Sequence, residues 1–307
     1  MTTAAETAPT RRSLRIRARR SRRLLAAAVF CLILGFVPLT GVLIVQGVNS
    51  SHAVAQAERQ EHAMERWTPA EQRHVLAQAH AYNRTLYKSG QHAIGAVVDG
   101  RTSEPDFAAK TDKTYWNTLK GAQGVMGTIR IPRIGVTLPI RHGSDEAALA
   151  NGAGHLYGTS LPVGGRNTHT VITAHRGVPD KELFTRLDEL KKGDVFYLNV
   201  AGGTLAYKVT RVQETDPSDT SLVRIEQGKD LATLLTCTPY GVNTRRLLVT
   251  GKRVSMPDDA PNVEDAPQDR KPLLVGAGTS LTVMFIGCSL IPPEKHVQGL
   301  HMKGFAH

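Results

Sequence analysis

The longest run of apolar positions lies near the N-terminus of the chain. Residues 24–45 contain 22 consecutive uncharged positions, and a helix of about 20 such residues crosses the hydrocarbon core of a bilayer. A cleaved signal peptide is the alternative, but its apolar core is usually roughly 7–15 residues long and ends in a small-x-small site, which is missing here. The pattern therefore predicts an uncleaved transmembrane helix over residues 24–45.

A second apolar run lies near the other end of the chain. Residues 273–291 give 19 uncharged positions, although glycine, serine and threonine dilute the apolar character. The run predicts a second transmembrane helix that returns the chain across the membrane and leaves residues 292–307 as a short tail.

Between the two runs the pattern first favours helix and then loses its period. Residues 46–90 are rich in Ala, Gln, Glu and Arg and predict a helical stalk. Within them, Thr68, Pro69 and Glu71 form a helix start with an N-cap, a first-turn proline and a capping glutamate. Residues 91–124 have little periodicity, and a loop of that length is usually functional or disordered.

From about residue 125 the apolar residues occur in short runs that are β-branched or alternate with polar residues. One short helix is predicted among the strands, because Leu183, Phe184, Leu187 and Leu190 share one helical face before Gly193. Seven or eight strands over residues 125–254 indicate a mainly β domain, either a barrel or a sandwich. Residues 255–271 are proline-rich and acidic and predict an extended linker. The predicted strands are 128–131, 136–140, 171–173, 195–200, 205–209, 232–236 and 247–250.

The net charge of +11 is concentrated at the N-terminus. Residues 1–23 hold eight arginines and one glutamate, whereas residues 24–271 hold 28 basic and 25 acidic residues. Because positive charge stays in the cytoplasm, both termini are predicted to be cytoplasmic and the region between the spans extracellular. The arginine-rich arm is interpreted as a topogenic, lipid-facing segment, and no nucleic-acid partner is predicted.

The cysteine distribution indicates where chemistry occurs. Of three cysteines, Cys31 and Cys288 fall inside the predicted spans, which leaves Cys237 as a thiol without a disulfide partner. Strand-like runs on either side of a Pro/Gly/Asn-rich turn place Arg246 across a hairpin mouth from Cys237. A guanidinium beside a thiol favours the nucleophilic thiolate or holds the oxyanion that follows attack. The alternative is an inert, buried structural cysteine.

His175 adds the second candidate group. It follows the strand-like run 171–174 and so lies at a strand end, as Cys237 does. A Cys, a His and an Arg at strand ends of one small domain can converge, with the imidazole exchanging protons and the guanidinium holding an oxyanion. The chain has no Cys-x-x-Cys or His-Glu-x-x-His motif and no phosphate-binding glycine loop. We therefore predict neither a metal nor a cofactor.

Four motifs resemble those of a known family, the sortases, and within it the pilin-polymerising class C group. The resemblance extends over about residues 82–253 and includes the two-span layout. The motifs are HLYGTSLPVGG at 155–165, TAHRG at 173–177, TLLTCTPYGVNT at 233–244 and RLLV at 246–249.

The resemblance implies an eight-stranded β-barrel with short helices, an N-terminal helical segment and two flanking transmembrane helices, on the outer face of a Gram-positive plasma membrane. It implies a cysteine transpeptidase that acts on an LPXTG-like C-terminal sorting signal. Cys237 would attack the Thr–Gly carbonyl, His175 would protonate the leaving amine, and Arg246 would position the substrate and stabilise the oxyanion. An amine, in class C typically a pilin lysine, would then resolve the thioester.

Two positions depart from the family pattern. Arg245 stands where the family often has histidine; alternation along a strand lets only one of Arg245 and Arg246 point inward toward Cys237, and the motif register favours Arg246. The family lid carries Asp-Pro followed by an aromatic residue. The corresponding stretch here is Glu104, Pro105, Asp106 and Phe107, which predicts a lid within residues 91–115, with a disordered linker as the alternative.

Three functions fit these observations. The first is pilus assembly by joining the sorting signal to a pilin lysine. The second is a sortase that anchors surface proteins to peptidoglycan. The third is a membrane-anchored binding protein in which Cys237 is inert.

Overall fold

The structure is a computed structural model that describes residues 11–98, 101–102, 108–121, 124–150 and 152–257. The predicted second span at 273–291, the tail and the lid motif at 104–107 lie outside the described residues, as does all but the start of the predicted linker.

Four helices are described, and the first is the longest. It contains a stretch, within Arg23–Met64, that is long and apolar enough to cross a membrane, and Leu24, Phe30 and Leu34 in it are exposed apolar side chains. The chain divides after Ile44 into two compact units, and the second carries the rest of the fold. The helices are α1 (Arg11–Glu65), α2 (Pro69–Ser89), α3 (Lys113–Asn117) and α4 (Glu146–Leu149).

The predicted start of α2 is confirmed in detail. The Thr68 hydroxyl accepts a hydrogen bond from the Glu71 amide at 3.3 Å, and the Glu71 carboxylate accepts one from the Thr68 amide at 2.7 Å. This reciprocal pair satisfies two amides that a helix start leaves unpaired. Gly90 ends the helix in the left-handed conformation.

Eleven strands are present in the described residues, and eight of them close into a barrel. The predicted eight-stranded barrel is therefore confirmed. Its order is β10-β11-β9-β8-β4-β5-β6-β7, returning to β10 through a parallel β7–β10 pair. The strands are β1 (Ala93–Ile94), β2 (Val97–Val98), β3 (Arg101–Thr102), β4 (Val125–Ile131), β5 (Val136–His142), β6 (Ala153–His155), β7 (Thr168–Thr173), β8 (Val195–Val200), β9 (Gly203–Thr215), β10 (Asp230–Thr238) and β11 (Arg245–Val254).

The prediction of a helix around residues 183–190 was wrong. A single 3-10 turn at Leu187–Glu189 lies there instead, because Leu183 has φ of +42°, which interrupts an α-helix. The apolar spacing reflects burial rather than helix, since Leu183, Phe184, Leu187 and Leu190 all pack into the core. The sequence also lacked a signal for β6, which has three residues, and for the small β1-β2-β3 sheet, whose strands have two residues each.

Two hydrophobic clusters lie on opposite faces of the strands. The main core fills the barrel and includes Ile172, Leu234 and Val249. A smaller outer cluster consists of Ile94, Val171, Val223 and Leu248, with Leu156, Leu222 and Leu235 packed against it. Since successive side chains of a strand point to opposite faces, the outer cluster covers the outside of β7, β10 and β11.

The predicted helical stalk is helical, and it packs directly on the barrel. Val54, Ala57 and Met64 of α1 are buried, and the Glu61 carboxylate accepts hydrogen bonds from Arg130 and Thr128 of β4. Glu61 is 1% exposed. A carboxylate removed from water to this extent is stable only when paired, so this contact fixes the helix to β4.

Candidate active site

Cys237 lies one residue before the end of β10, and the β10–β11 register pairs it directly with Arg246. Residues opposite each other on antiparallel strands project their side chains to the same face, with Cβ atoms about 4.5–5.5 Å apart. The predicted hairpin thus places Cys237 and Arg246 opposite each other, with their Cβ atoms on the same face. Both residues are half-buried.

His175 approaches Cys237 from the other neighbouring strand. The parallel β7–β10 register pairs Thr173 with Leu235, and continuing it by two residues brings His175 beside Cys237. The Ala174 amide donates to the Leu235 carbonyl at 3.2 Å, and the Thr236 hydroxyl donates to the Ala174 carbonyl at 2.8 Å. These two bonds hold the ends of β7 and β10 together.

The three side chains lie on the outer face of the barrel. Leu247 and Thr236, the chain neighbours of Arg246 and Cys237, are buried on the opposite face, and Leu247 belongs to the main core. Cys237 shares its face with Leu235, and Arg246 shares its face with Leu248 of the outer cluster. The expectation that the functional arginine points into the barrel was therefore wrong; it points outward, to the face that also carries the thiol.

The candidate residues line a cleft of about 240 Å³. Its lining includes the apolar side chains of Leu235 and Leu248, the buried Thr173, and the half-buried His175, Cys237 and Arg246. One wall is the turn between β1 and β2, and the other is the loop that follows β9. The remaining lining residues are Ile94, Gly95, Ala96, Val97, Ser144, Leu149, Leu156, Ala174, Thr215, Asp216, Pro217, Asp219, Thr220 and Val223.

The β1–β2 wall needs a glycine at its closest approach. Gly95 has φ of +57°, and a Cβ added there would lie 2.7 Å from a methyl carbon of Leu156. The Gly95 amide donates to the Tyr157 carbonyl at 2.8 Å. The small sheet is thus held tightly against the barrel beside the cleft.

The adjacent arginines have different surroundings. The Arg246 guanidinium donates to the carbonyls of Asn243 at 3.2 Å and Arg245 at 3.1 Å, which orients it beside the cleft. Arg245 is exposed, and its Nε lies 3.8 Å from the Glu214 carboxylate. Of the two, Arg246 alone lines the cleft.

His175 also has a neighbour that the sequence did not reveal. Its Nε2 lies 3.5 Å from Oε2 of Glu146, the first residue of α4, and the two side chains are 32% and 86% exposed. Glu146 is 29 positions earlier in the chain, and no motif indicated it.

A buried polar network anchors the segment that follows the predicted lid. Asp112 accepts hydrogen bonds from the Tyr82 and Tyr157 hydroxyls, each at 3.1 Å. The Tyr115 hydroxyl lies 3.0 Å from Nδ1 of His155, and burial lowers the pKa of His155 to about 4, so this imidazole is neutral. The network ties α2 and α3 to the barrel. Glu104, Pro105, Asp106 and Phe107 lie outside the described residues, so their predicted role as a lid stays a prediction.

Within the described ranges, no group of three or more His, Cys, Asp or Glu side chains is placed to hold a metal ion. The chemistry of the site is that of a thiol, an imidazole and a guanidinium on one face. A thiolate can attack a carbonyl, an imidazole can transfer a proton, and a guanidinium can hold an oxyanion.

Comparison with known proteins gives the same family throughout. The family model for the Sortase domain matches residues 129–254. Sortase D of Bacillus subtilis is 33% identical over 132 residues, which cover 42% of this chain and 64% of that protein.

Solved structures are similar over a longer part of the chain. Sortase C of Streptococcus pneumoniae is 40% identical, with a TM-score of 0.55 over 66% of this chain and 97% of that one; its structure is described as informative on catalysis and pilin substrate specificity. Sortase C-1 of Actinomyces oris is 43% identical, with a TM-score of 0.53 over 61% of this chain and 100% of that one.

Proposed function

The chain belongs to the sortase family of cysteine transpeptidases, and on that premise we propose that it joins proteins bearing an LPXTG-like sorting signal to a lysine amine of a pilin. The observation that carries the proposal is the placement of Cys237 between Arg246 on β11 and His175 beyond β7, in the lining of one cleft. The similarity to a sortase C whose structure bears on pilin specificity supports the pilin as partner.

In the first half of the proposed reaction, the Cys237 thiolate attacks the Thr–Gly carbonyl of the sorting signal. Arg246 donates hydrogen bonds to the oxyanion of the tetrahedral intermediate, which is where such donors contribute most. The C–N bond then breaks, His175 gives a proton to the leaving glycine amine, and the threonine carbonyl remains bound to sulfur as a thioester.

In the second half, a neutral lysine amine attacks the thioester. His175 takes the proton that the amine loses, the C–S bond breaks, and Cys237 leaves as thiolate. One amide bond is exchanged for another, so the reaction needs no nucleotide or metal.

The proposed location is the plasma membrane. The apolar stretch of α1 would be the N-terminal span, with the arginine-rich arm in the cytoplasm and the barrel outside. The second span and the cytoplasmic C-terminus remain part of the proposal.

The experiment that tests this function uses the full chain in detergent with a fluorogenic LPXTG peptide. We expect cleavage and a thioester adduct detectable by mass spectrometry, and loss of both in Cys237→Ala. The matched control is Cys31→Ala, which removes a thiol of α1 and should retain wild-type turnover. Turnover by Cys237→Ala would eliminate the cysteine mechanism.

Offering two acceptors separates pilus assembly from peptidoglycan anchoring. A pilin-lysine peptide should outcompete an oligoglycine or other cell-wall amine in forming product. Preference for the cell-wall amine would favour anchoring. A separate test with a thiol reagent addresses the third function, since failure of Cys237 to react would favour a non-enzymatic binding protein.

A further inference from the structure

Arg176 follows His175 directly and makes an unusual pair of contacts. Its side chain is 9% exposed; Nη2 donates to Oδ2 of Asp188 at 2.5 Å, and Nη1 donates to the Thr238 hydroxyl at 3.3 Å. Thr238 is the residue after Cys237. Arg176 therefore connects the segments that carry the two reactive groups. It follows His175 in the chain, and its guanidinium bonds to Thr238, which follows Cys237.

The other end of this contact is fixed by the main core. Asp188 follows Leu187, which is fully buried, and Leu190 is 2% exposed. The loop is fixed again at its start, because the Phe184 amide donates to the His175 carbonyl at 3.0 Å and the Phe184 ring is in the main core. The position of Asp188 is thus fixed by its neighbours, and Arg176 connects Thr238 to it.

A second contact joins the same two loops. Gly177 has φ of +77°, and a Cβ there would lie 3.2 Å from the Tyr240 ring. The Tyr240 ring packs over Gly177, where the positive φ and the close ring both disfavour a side chain. The loops after β7 and after β10 are therefore connected both by a polar bridge through Arg176 and by the packing of Tyr240.

Stability does not account for the buried guanidinium. Arg176 Nε is buried without a hydrogen-bond partner among the described residues, and an unsatisfied buried donor lowers the free energy of unfolding. The ion pair with Asp188, whose side chain is 51% exposed, is screened by water and contributes little. The arrangement is therefore better explained by the geometry that it imposes than by the energy that it supplies.

We propose that Arg176, held by Asp188, is a positioning residue that sets the placement of Cys237 relative to His175 through its bond to Thr238. This inference rests on the proposed transpeptidase function. Among the described residues that line the cleft, Arg176 is absent, so the proposed effect acts through Thr238. Its loss should slow the chemical steps and leave substrate binding unchanged.

The test compares Arg176→Met with wild type, using the full chain in detergent and the fluorogenic LPXTG peptide. We expect kcat to fall on the order of 10- to 100-fold, since small misplacements of reacting groups cost this much. KM should stay within about twofold, and Tm should change little, because Asp188 is 51% exposed and is solvated once the guanidinium is removed.

Two further variants locate the effect in the bridge. Asp188→Asn should lower kcat in the same direction, because the guanidinium loses its charged partner. Arg176→Lys should recover only part of kcat, since an ammonium cannot make the two-sided contact of a planar guanidinium.

Arg186→Met is the matched control. Arg186 lies in the same loop and forms an ion pair with Glu189 at 2.7 Å, without a bond to Thr238, so its kcat should be that of wild type. The proposal is overturned if Arg176→Met retains wild-type kcat, if it raises KM with kcat unchanged, or if Arg186→Met is equally impaired. A loss of kcat in Arg176→Met that is accompanied by a large fall in Tm would show a merely structural role and would also overturn it.

A substrate-free measurement separates this inference from the proposed function. The rate of Cys237 alkylation by iodoacetamide, followed by mass spectrometry of its peptide, should fall in Arg176→Met and not in Arg186→Met, because thiolate character depends on the neighbouring groups. If wild type does not cleave the peptide, the proposed function fails while the alkylation rates still decide the role of Arg176. Equal rates in all variants would then refute it.

Discussion

Cys237 and Arg246 are direct partners in the antiparallel register of β10 and β11, on the outer face of the barrel. The backbone alone fixes their proximity, because directly opposed residues keep their Cβ atoms about 4.5–5.5 Å apart. Arg245 is one residue away and has Glu214 as its neighbour instead.

This relationship predicts opposite outcomes for the two adjacent arginines. Arg246→Ala should lower kcat by roughly 10²–10³-fold, the usual effect of removing an oxyanion donor, and Arg246→Lys should recover only part of it. Arg245→Ala is the matched control and should be nearly normal. Steady-state kinetics with an LPXTG peptide measure both, and an impaired Arg245→Ala beside a normal Arg246→Ala would reverse the assignment.

Glu146 should contribute little despite its place next to His175. The 3.5 Å separation and the 86% exposure of the carboxylate make this a solvent-screened surface contact, worth about 0–1 kcal/mol at most. Glu146→Gln should therefore change kcat/KM by less than about fivefold, whereas His175→Ala should lose at least ~10²-fold. A loss in Glu146→Gln as large as that in His175→Ala would place the carboxylate in the catalytic machinery.

The buried histidines predict that the fold loses stability in mild acid. Burial lowers the pKa of both His155 and His169 from 6.5 to about 4. Between pH 6.5 and pH 4 the unfolded chain binds protons at these two histidines that the folded chain does not. The free energy of unfolding therefore keeps its full value above pH 6.5 and decreases as the pH falls toward 4. Each displacement corresponds to about 3 kcal/mol, and Tm measured from pH 7 to pH 4.5 should fall accordingly.

A single substitution tests the source of that pH dependence. His169 hydrogen-bonds the Arg224 carbonyl at 2.8 Å and the Thr233 hydroxyl at 2.7 Å, and a glutamine amide resembles it in size and polarity. His169→Gln should flatten the slope of Tm against pH, while His74→Gln, at an exposed position of α2, should leave it unchanged. An unaltered slope in His169→Gln would show that other groups cause the acid sensitivity.

The proposed topology is testable in intact cells. Protease added outside should cut within residues 46–272 and leave tags at both termini protected, since the arginine-rich arm favours the cytoplasm and a second span would return the chain. Loss of a tag fused after His307, with the N-terminal tag intact, would leave a single anchor and an exported tail.

The parts of the fold that depend on local sequence were predictable. The Thr68–Glu71 cap and the strand cores such as Val195–Val200 follow from neighbouring residues alone. The pairing of Cys237 with Arg246 was also accessible, because a hairpin turn connects their strands and fixes which residues oppose each other.

The parts that depend on distant residues were not predictable. Glu146 reaches His175 and Asp188 reaches Arg176 only after the loops have folded, and no motif or period links them. The choice of the outer face also escaped prediction, since alternation shows that Arg245 and Arg246 point to opposite faces without showing which face the main core occupies. The spacing of Leu183, Phe184, Leu187 and Leu190 indicated burial correctly and helix wrongly.

The parallel pairing of β7 with β10 has a consequence for when the chain becomes reactive. The residues that it joins, such as Ala174 and Thr236, are 62 positions apart, and contacts of such sequence separation form late because loop closure precedes them. A partly folded chain therefore carries Cys237 without His175 beside it. Catalytic activity then requires that this seam of the barrel has closed, and during refolding it should recover no earlier than the β7–β10 pairing and later than the appearance of helix.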